Sequence, residues 1–323
     1  MNIAIIGVGA LGSLLGFYLS GVARHTVWLL GQWPEQVAAL QQAGLVCVRE
    51  DRQQHRAVRA TTQPEQIGAC DVVLVVVKGG QTAQAAARAR ALLHATTLVV
   101  TLQNGLGNRE VLAQALHPQP VLQGVTTLGA TLIGPGQVRH AGMGTTFFAA
   151  PPTADKSASL TLLVDLFRAA GLPAEVSPDV ETLIWNKLVV NVGINALTAL
   201  LRVPNGALLN LPPARALMGD LVAEAAAVAT ARGTPITGDP LARVVAVAEA
   251  TATNHSSMLQ DVLRGAPTEI ATMNGAIVRE GQRLGIATPY NQAITLLVEA
   301  LDYAASTART ADSAACTSSP LMP

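Results

Sequence analysis

Over the first 116 residues, short apolar runs alternate with amphipathic stretches: 2–6 precedes 11–20, 26–30 precedes 34–42, 71–77 precedes 81–93, and 97–102 precedes 108–116. Each crossover must carry the chain back to the same end of the sheet, so this alternation predicts βαβ units and parallel strands. Runs such as Val72-Val73-Leu74-Val75-Val76-Val77 are apolar throughout rather than at every second residue, which requires helices on both faces. Between 121 and 149, glycines and Pro135 cut the pattern into short pieces that read as antiparallel hairpins extending the sheet. A helix at 160–170 and a strand at 173–176 close this part. After Ser177-Pro178-Asp179 the strand signal stops, and Ala- and Leu-rich helical stretches follow at 180–200, 213–232, 241–253, 268–284 and 291–304.

Directly between the first strand and the first helix stands Gly7-Val8-Gly9-Ala10-Leu11-Gly12. Here Gly7 permits a tight turn, Gly9 lets backbone amides approach a pyrophosphate, Gly12 allows close helix packing, and the helix N-terminus favours the anion. In that context the motif predicts a dinucleotide site. The expected architecture is therefore an α/β Rossmann-type domain over 1–177, a parallel sheet with an antiparallel extension, followed by an all-α substrate and catalytic domain over 178–305 and a flexible tail over 306–323. A fingerprint of this kind expects a carboxylate about 20 residues on for NAD, or a nearby Arg for the 2′-phosphate of NADP. The second strand ends instead at Leu30-Gly31-Gln32, neutral at that place, so NADP(H) is favoured by the missing repulsion and NAD(H) is not excluded. Glu35, nearby, reads as a solvated first-turn helix residue after Pro34.

Formal net charge is zero, from 21 basic and 21 acidic residues. That balance gives neither the electrostatic footprint of a nucleic-acid binder nor a polybasic membrane anchor. The cysteines Cys47, Cys70 and Cys316 are scattered, predicting neither disulfide framework nor zinc site, and no metal is expected. With no basic leader before the first strand, the expected compartment is the cytoplasm. Only three of the 21 basic residues are lysines, Lys78, Lys156 and Lys187. A chain this biased to Arg draws attention to each ammonium, because Arg cannot release a proton near neutral pH.

Lys78 follows the third strand run and Asn104, in Gln103-Asn104-Gly105, follows the fourth. Carboxyl ends of strands in an open parallel sheet form the ligand crevice, although Asn104 before a glycine is also an ordinary turn former. In the helical half Lys187, Asn191 and Asn195 recur every fourth residue and share a helix face. A Lys and two Asn aligned on a Leu/Val/Ile helix fit poorly as core and only moderately as surface. Asn205 lies in a Pro-Asn-Gly turn, Asn254 and Ser257 precede a helix where such residues can simply cap, and Glu269 has the place of a first-turn carboxylate.

Taken as an ordered set, the glycine turn, Val77-Lys78 with Gln81-Thr82, Gln103-Asn104-Gly105, Gly124-Val125-Thr126-Thr127, the Trp185/Lys187/Asn191 helix, Asn205-Gly206, Ser256-Ser257-Met258-Leu259-Gln260-Asp261 and Glu269 with Asn274-Gly275 resemble the ketopantoate reductase family over about residues 1–303. The resemblance implies NADPH-dependent reduction of 2-dehydropantoate to pantoate, a step of pantothenate biosynthesis. It further implies Lys187 as general acid, Glu269 orienting Lys187 or the substrate hydroxyl, and Asn191, Asn195, Asn205, Asn254, Ser257 and Asn104 holding substrate. Residues 7–12, Gln32, Lys78, Asn104, Ala130 and Glu269 match cofactor positions, and the site would be the cleft between domains. Gln32 departs from the family, which usually carries a basic residue there. Two other readings stay open: a reductase of another branched 2-oxo acid, and a protein that senses NADP without turnover. The expected partner is a small 2-oxo acid, with a homodimer through the helical domain and neither nucleic acid nor membrane.

Overall fold

The structure, a computed structural model, describes residues 1–50, 52–151 and 154–317, without the side chains of 154, 155 and 308–317. The chain divides into two compact units, Met1–Val180 and Glu181–Pro323.

In the first unit, β1 (Asn2–Ile6), α1 (Ala10–Leu19), β2 (Thr26–Leu30) and α2 (Pro34–Ala43) open the fold. Next come β3 (Leu45–Arg49), β4 (Arg52–Arg56), β5 (Arg59–Thr61), β6 (Val72–Val75), α3 (Thr82–Ala89), β7 (Leu98–Thr101) and α4 (Asn108–Leu116). The unit ends with β8 (Val121–Thr126), β9 (Gly129–Gly134), β10 (Gln137–Gly142), β11 (Thr146–Ala149), α5 (Ala154–Ala169) and β12 (Ala174–Ser177). Eight strands form one sheet in the order β12-β11-β8-β7-β6-β1-β2-β5. All neighbours run parallel except β8 and β11, which pair antiparallel. The chain winds outward in both directions from β1, so the topological switch point lies at its carboxyl end, where the glycine turn sits.

Alternate residues of the central strands feed two cores. Ile3, Ile5, Val72, Leu74, Leu98 and Val100 pack with Leu14, Leu15 and Phe17 of α1, Val37 and Leu40 of α2, and Leu163 and Phe167 of α5. Ala4, Ile6, Val73, Val75 and Val99 pack with Ala85, Ala86 and Ala89 of α3 and Leu112 and Leu116 of α4. Coverage on both faces is what an apolar, non-alternating strand needs.

One expectation is corrected here. The hairpin β9–β10 does not extend the main sheet; it joins β3 and β4 in a second, four-stranded sheet ordered β4-β3-β10-β9. Its anchor is β10 running parallel to β3, some 90 residues earlier, a pairing that no local pattern specifies. The three strands between 45 and 61 are not among those expected: β4 (RQQHR) is exposed along most of its length and carries no apolar signal, β5 is three residues long, and the short alternating run of β3 (LVCVR) has its strand partners far along the chain or in β4. The second sheet is tied to α1 by the Tyr18 hydroxyl, 2.7 Å from Nδ1 of His140.

The second unit is helical: α6 (Val180–Leu201), α7 (Pro212–Ala231), α8 (Pro240–Ala250), α9 (Ser257–Leu263), α10 (Asn274–Leu284) and α11 (Pro289–Thr317). By length and composition α6 could cross a membrane, but 67 % of that span is buried, the condition of a core helix. Gly193 lets α7 and α8 close on it, since a Cβ there would meet Val222 and Val244 at 2.9 Å. Asn274 and Asn291 join the bundle from inside: Asn274 donates to the carbonyl of Val192 and to Oδ1 of Asn291, and Asn291 donates to the carbonyl of Leu221 and to Glu224.

Two further differences concern helix ends. The stretch expected as one helix over 268–284 is a tight turn at Ile270–Thr272, a break at Met273 (φ −105°, ψ −99°) and then α10. The segment expected as a flexible tail is helical as far as Thr317, where α11 ends, and residues 318–323 lie outside the described residues. No Gly or Pro interrupts the chain between Pro289 and Pro320, and Ala-rich sequence continues a helix once it is nucleated.

The contact that fixes α1 against β1 generates a stability prediction. A Cβ at Gly12 would lie 1.8 Å from the Gly7 carbonyl oxygen. Gly12→Ala therefore loses about 1–3 kcal/mol by overpacking despite the better helix propensity of Ala, measurable by denaturant unfolding.

Candidate active site

The glycine turn is built by steric necessity. Gly7 has φ +122°, and a Cβ there would press on the Val76 backbone at 2.9 Å. Gly9 differs from both neighbours of the motif: it caps α1 with extended backbone (φ −73°, ψ −165°), is exposed, and a Cβ there would meet nothing within 4 Å. No side chain caps α1 and no acidic residue lies in its first turn. The first amides of a helix have no intrahelical acceptor, so this end presents N–H groups and a positive dipole to open space. The turn is propped from behind, where the Val8 carbonyl accepts from Ser13 Oγ at 3.1 Å and from Gln36 Nε2 at 3.2 Å. Gln36, fully buried, also takes the Gly136 amide at 2.7 Å and so binds the second sheet to the turn. Ala10 and Leu11 follow half-buried in the first turn of α1.

Lys78 and Asn104 stand where the loops leave β6 and β7, both half-buried. Their loops are cross-linked by side chains that the sequence reading did not single out as functional. Gln103 donates to the Val77 carbonyl at 3.0 Å and to the Thr82 hydroxyl at 2.8 Å, while Asn108 donates to the Asn104 carbonyl at 2.9 Å. The Thr82 hydroxyl lies 2.8 Å from the Gly79 carbonyl oxygen and 2.9 Å from Oδ1 of Asn108, a proton donor to one of them. Their only signal in the sequence is polar residues inside apolar surroundings, which must find partners when buried. Ala130 lies in β9 of the second sheet, opposite His140, and packs on the core that α1 shares.

Beyond β2, Gln32 is exposed beside a groove of ≈ 870 Å³ that Pro34, Thr62, Glu65 and Arg88 also line. Arg88 reaches it from α3, donating through Nη1 to the Gly31 carbonyl at 3.2 Å and through Nη2 to the Thr62 carbonyl.

In the helical unit α6 carries Lys187, Asn191 and Asn195. Burial lowers the Lys187 ammonium from the ordinary lysine range to about 8, with the Glu269 carboxylate working in the opposite direction. Glu269 is itself 6 % exposed and stands before the turn at Ile270–Thr272, not inside a helix. Asn195 donates to Ser257 Oγ at 3.3 Å, and Ser256, one residue earlier, caps α9 by accepting the Leu259 amide at 3.1 Å and the Thr198 hydroxyl at 2.7 Å. Asn205 donates its amide to Thr251 Oγ1 at 2.9 Å and its backbone N–H to the Asn254 carbonyl at 3.0 Å. Its Oδ1, buried, accepts from no donor among the described residues, and a buried acceptor left in that state calls for one. Asn254 shows an exposed side chain and contributes its backbone; Asn191 is half-buried.

A parallel sheet with an uncapped glycine turn at its switch point, in a chain that also folds a helical unit around a lysine and a carboxylate, has the build of a two-domain oxidoreductase. The family model described as "Ketopantoate reductase PanE/ApbA" matches residues 3–153, and its C-terminal counterpart matches 179–302. A 2-dehydropantoate 2-reductase of Halobacterium salinarum is 38% identical over 300 residues, 92% of this chain and 98% of that one. Among solved structures, a PanE/ApbA family ketopantoate reductase from Ralstonia eutropha superposes with TM-score 0.86 at 34% identity, covering 95% of this chain and 100% of the other. D-mandelate dehydrogenase, solved with NADH and anilino(oxo)acetate, gives TM-score 0.86 at 28% identity over the same shares. The chain belongs to the ketopantoate reductase family.

Gly9 separates binding from folding. Gly9→Ala, whose methyl group meets only open space, keeps the melting temperature of the parent while weakening dinucleotide binding measured by calorimetry; unchanged affinity would remove the turn from the site.

Proposed function

We propose that the chain reduces 2-dehydropantoate to pantoate with NADPH in the cytoplasm, with Lys187 as general acid. What carries this reading is Lys187 on α6, half-buried and within the field of the Glu269 carboxylate, its ammonium lowered to about 8 by desolvation. The residues present fit a dinucleotide: the open space at Gly9 and the uncapped amides of α1 suit a pyrophosphate, and Lys78 and Asn104 stand at the neighbouring strand ends. When bound, a reduced nicotinamide supplies the hydride that a ketone carbon takes up.

The chain's own residues supply the rest. Reduction leaves negative charge on the ketone oxygen, and Lys187 Nζ both stabilises that charge and gives up the proton that quenches it. A lysine near 8 holds its proton at neutral pH yet releases it far more readily than an exposed lysine. Glu269 keeps the ammonium charged in its buried place. The unengaged Oδ1 of Asn205 accepts a substrate hydroxyl, and Asn191, Asn195 and Ser257 serve the hydroxyl and carboxylate. A proton donor of this kind has no purpose in a protein that only senses its cofactor. D-mandelate dehydrogenase, alike in fold, keeps a second substrate reading in view, a reductase of other 2-oxo acids.

Lys187→Ala lowers turnover about 10²–10⁴-fold, the range of general acid catalysis, and leaves NADPH binding intact. Because the acid must be protonated, kcat/KM for reduction falls as pH rises through about 8. Glu269 raises the Lys187 pKa, so Glu269→Gln moves that limb to lower pH; an unmoved limb would separate the two residues. Turnover over a panel of branched and aryl 2-oxo acids decides the substrate, with 2-dehydropantoate expected to be fastest.

A further inference from the structure

The neutral Gln32 leaves the end of β2 without the cation expected of a protein that distinguishes NADPH from NADH. In a doubly wound sheet the adenosine ribose lies against this strand end, and a 2′-phosphate there needs a positive partner. The fold delivers one from a distance of 56 positions. Arg88, on α3, lies across the strand end with one guanidinium nitrogen on the Gly31 carbonyl and the other on that of Thr62, and it lines the same groove as Gln32.

We infer that Arg88 is the residue that recognises the 2′-phosphate, in place of the basic residue missing after β2. This rests on the NADPH reading above. Two of the five guanidinium donors meet backbone carbonyls, which fixes the planar head while leaving further N–H groups for a phosphate oxygen. A head already held in place loses little conformational freedom on binding. Gln32 adds a neutral donor beside it. One group on the groove works against an anion: Glu65. Burial acts against the Arg88 charge and Glu65 acts for it, and a guanidinium stays protonated under either influence. Glu65 therefore sets how much of that charge remains for a ligand.

The test is calorimetric binding of NADPH, NADH, adenosine 2′,5′-bisphosphate and AMP to the full chain and three variants. The parent is expected to bind NADPH and the bisphosphate more tightly than their counterparts lacking the 2′-phosphate. Arg88→Gln, which can still donate to a carbonyl, weakens both phosphorylated ligands about 10- to 100-fold, as loss of a charge-assisted contact predicts, and leaves NADH and AMP unchanged. Arg88→Lys recovers part of the loss. Glu65→Gln, which removes the opposing charge from the groove, tightens only the 2′-phosphorylated ligands. Equal weakening of NADPH and NADH in Arg88→Gln overturns the inference, because the side chain would then be a clamp for the loop alone. A parent that prefers NADPH and keeps that preference without Arg88 overturns the inference and spares the NADPH reading. A parent that prefers NADH overturns the NADPH reading and the inference with it, while turnover of 2-oxo acids remains a separate measurement.

Discussion

Helix α1 rests on β1 through backbone, and the first unit depends on that contact. With the Gly12 Cα placed so that any side chain would strike the Gly7 carbonyl, the helix starts directly above the strand end. That close approach aims uncapped amides at the centre of the sheet's carboxyl edge. It also sets the level at which Leu14, Leu15 and Phe17 enter the core shared with Ile3 and Ile5. The site and the packing thus share one steric condition, and the glycines serve both.

Around this contact the loops are held by buried polar side chains rather than by regular structure. Ser13 and Gln36 secure the Val8 carbonyl, Gln36 extends the hold to the hairpin of the second sheet, and Gln103, Thr82 and Asn108 lock together the loops that carry Lys78 and Asn104. Buried hydrogen bonds contribute modestly when made, about 1 kcal/mol each, and are costly to break. Their effect here is geometric: strand-end groups are kept at fixed positions without occupying the open space at Gly9. In the helical unit the same economy appears as Asn195 on Ser257 and Thr198 on Ser256, which seat α9 against α6, and as Asn205 on Thr251, which ties the turn after α6 to the end of α8.

At Lys187 two opposing influences of the helical unit act on one charge. Desolvation disfavours its charge and Glu269 restores part of it. The balance between the two leaves the ammonium at about 8.

Much of this was legible in the sequence. Alternating apolar runs dictate parallel strands with covered faces, the glycine spacing dictates the turn at β1, and the four-residue spacing of Lys187, Asn191 and Asn195 puts them on one side of α6, because each follows from local periodicity. What the sequence left open depends on pairings between distant segments. The second sheet exists because β10 finds β3, and Arg88 comes to the end of β2 from α3. The pairing of Glu269 with Lys187, implied by the family resemblance but by no local pattern, arises because two parts of the helical unit 82 positions apart converge. Local chemistry selects the elements and the residue types. Only the closed fold decides which of those residues share an electrostatic environment, since burial and charge pairing depend on distance in space rather than along the chain.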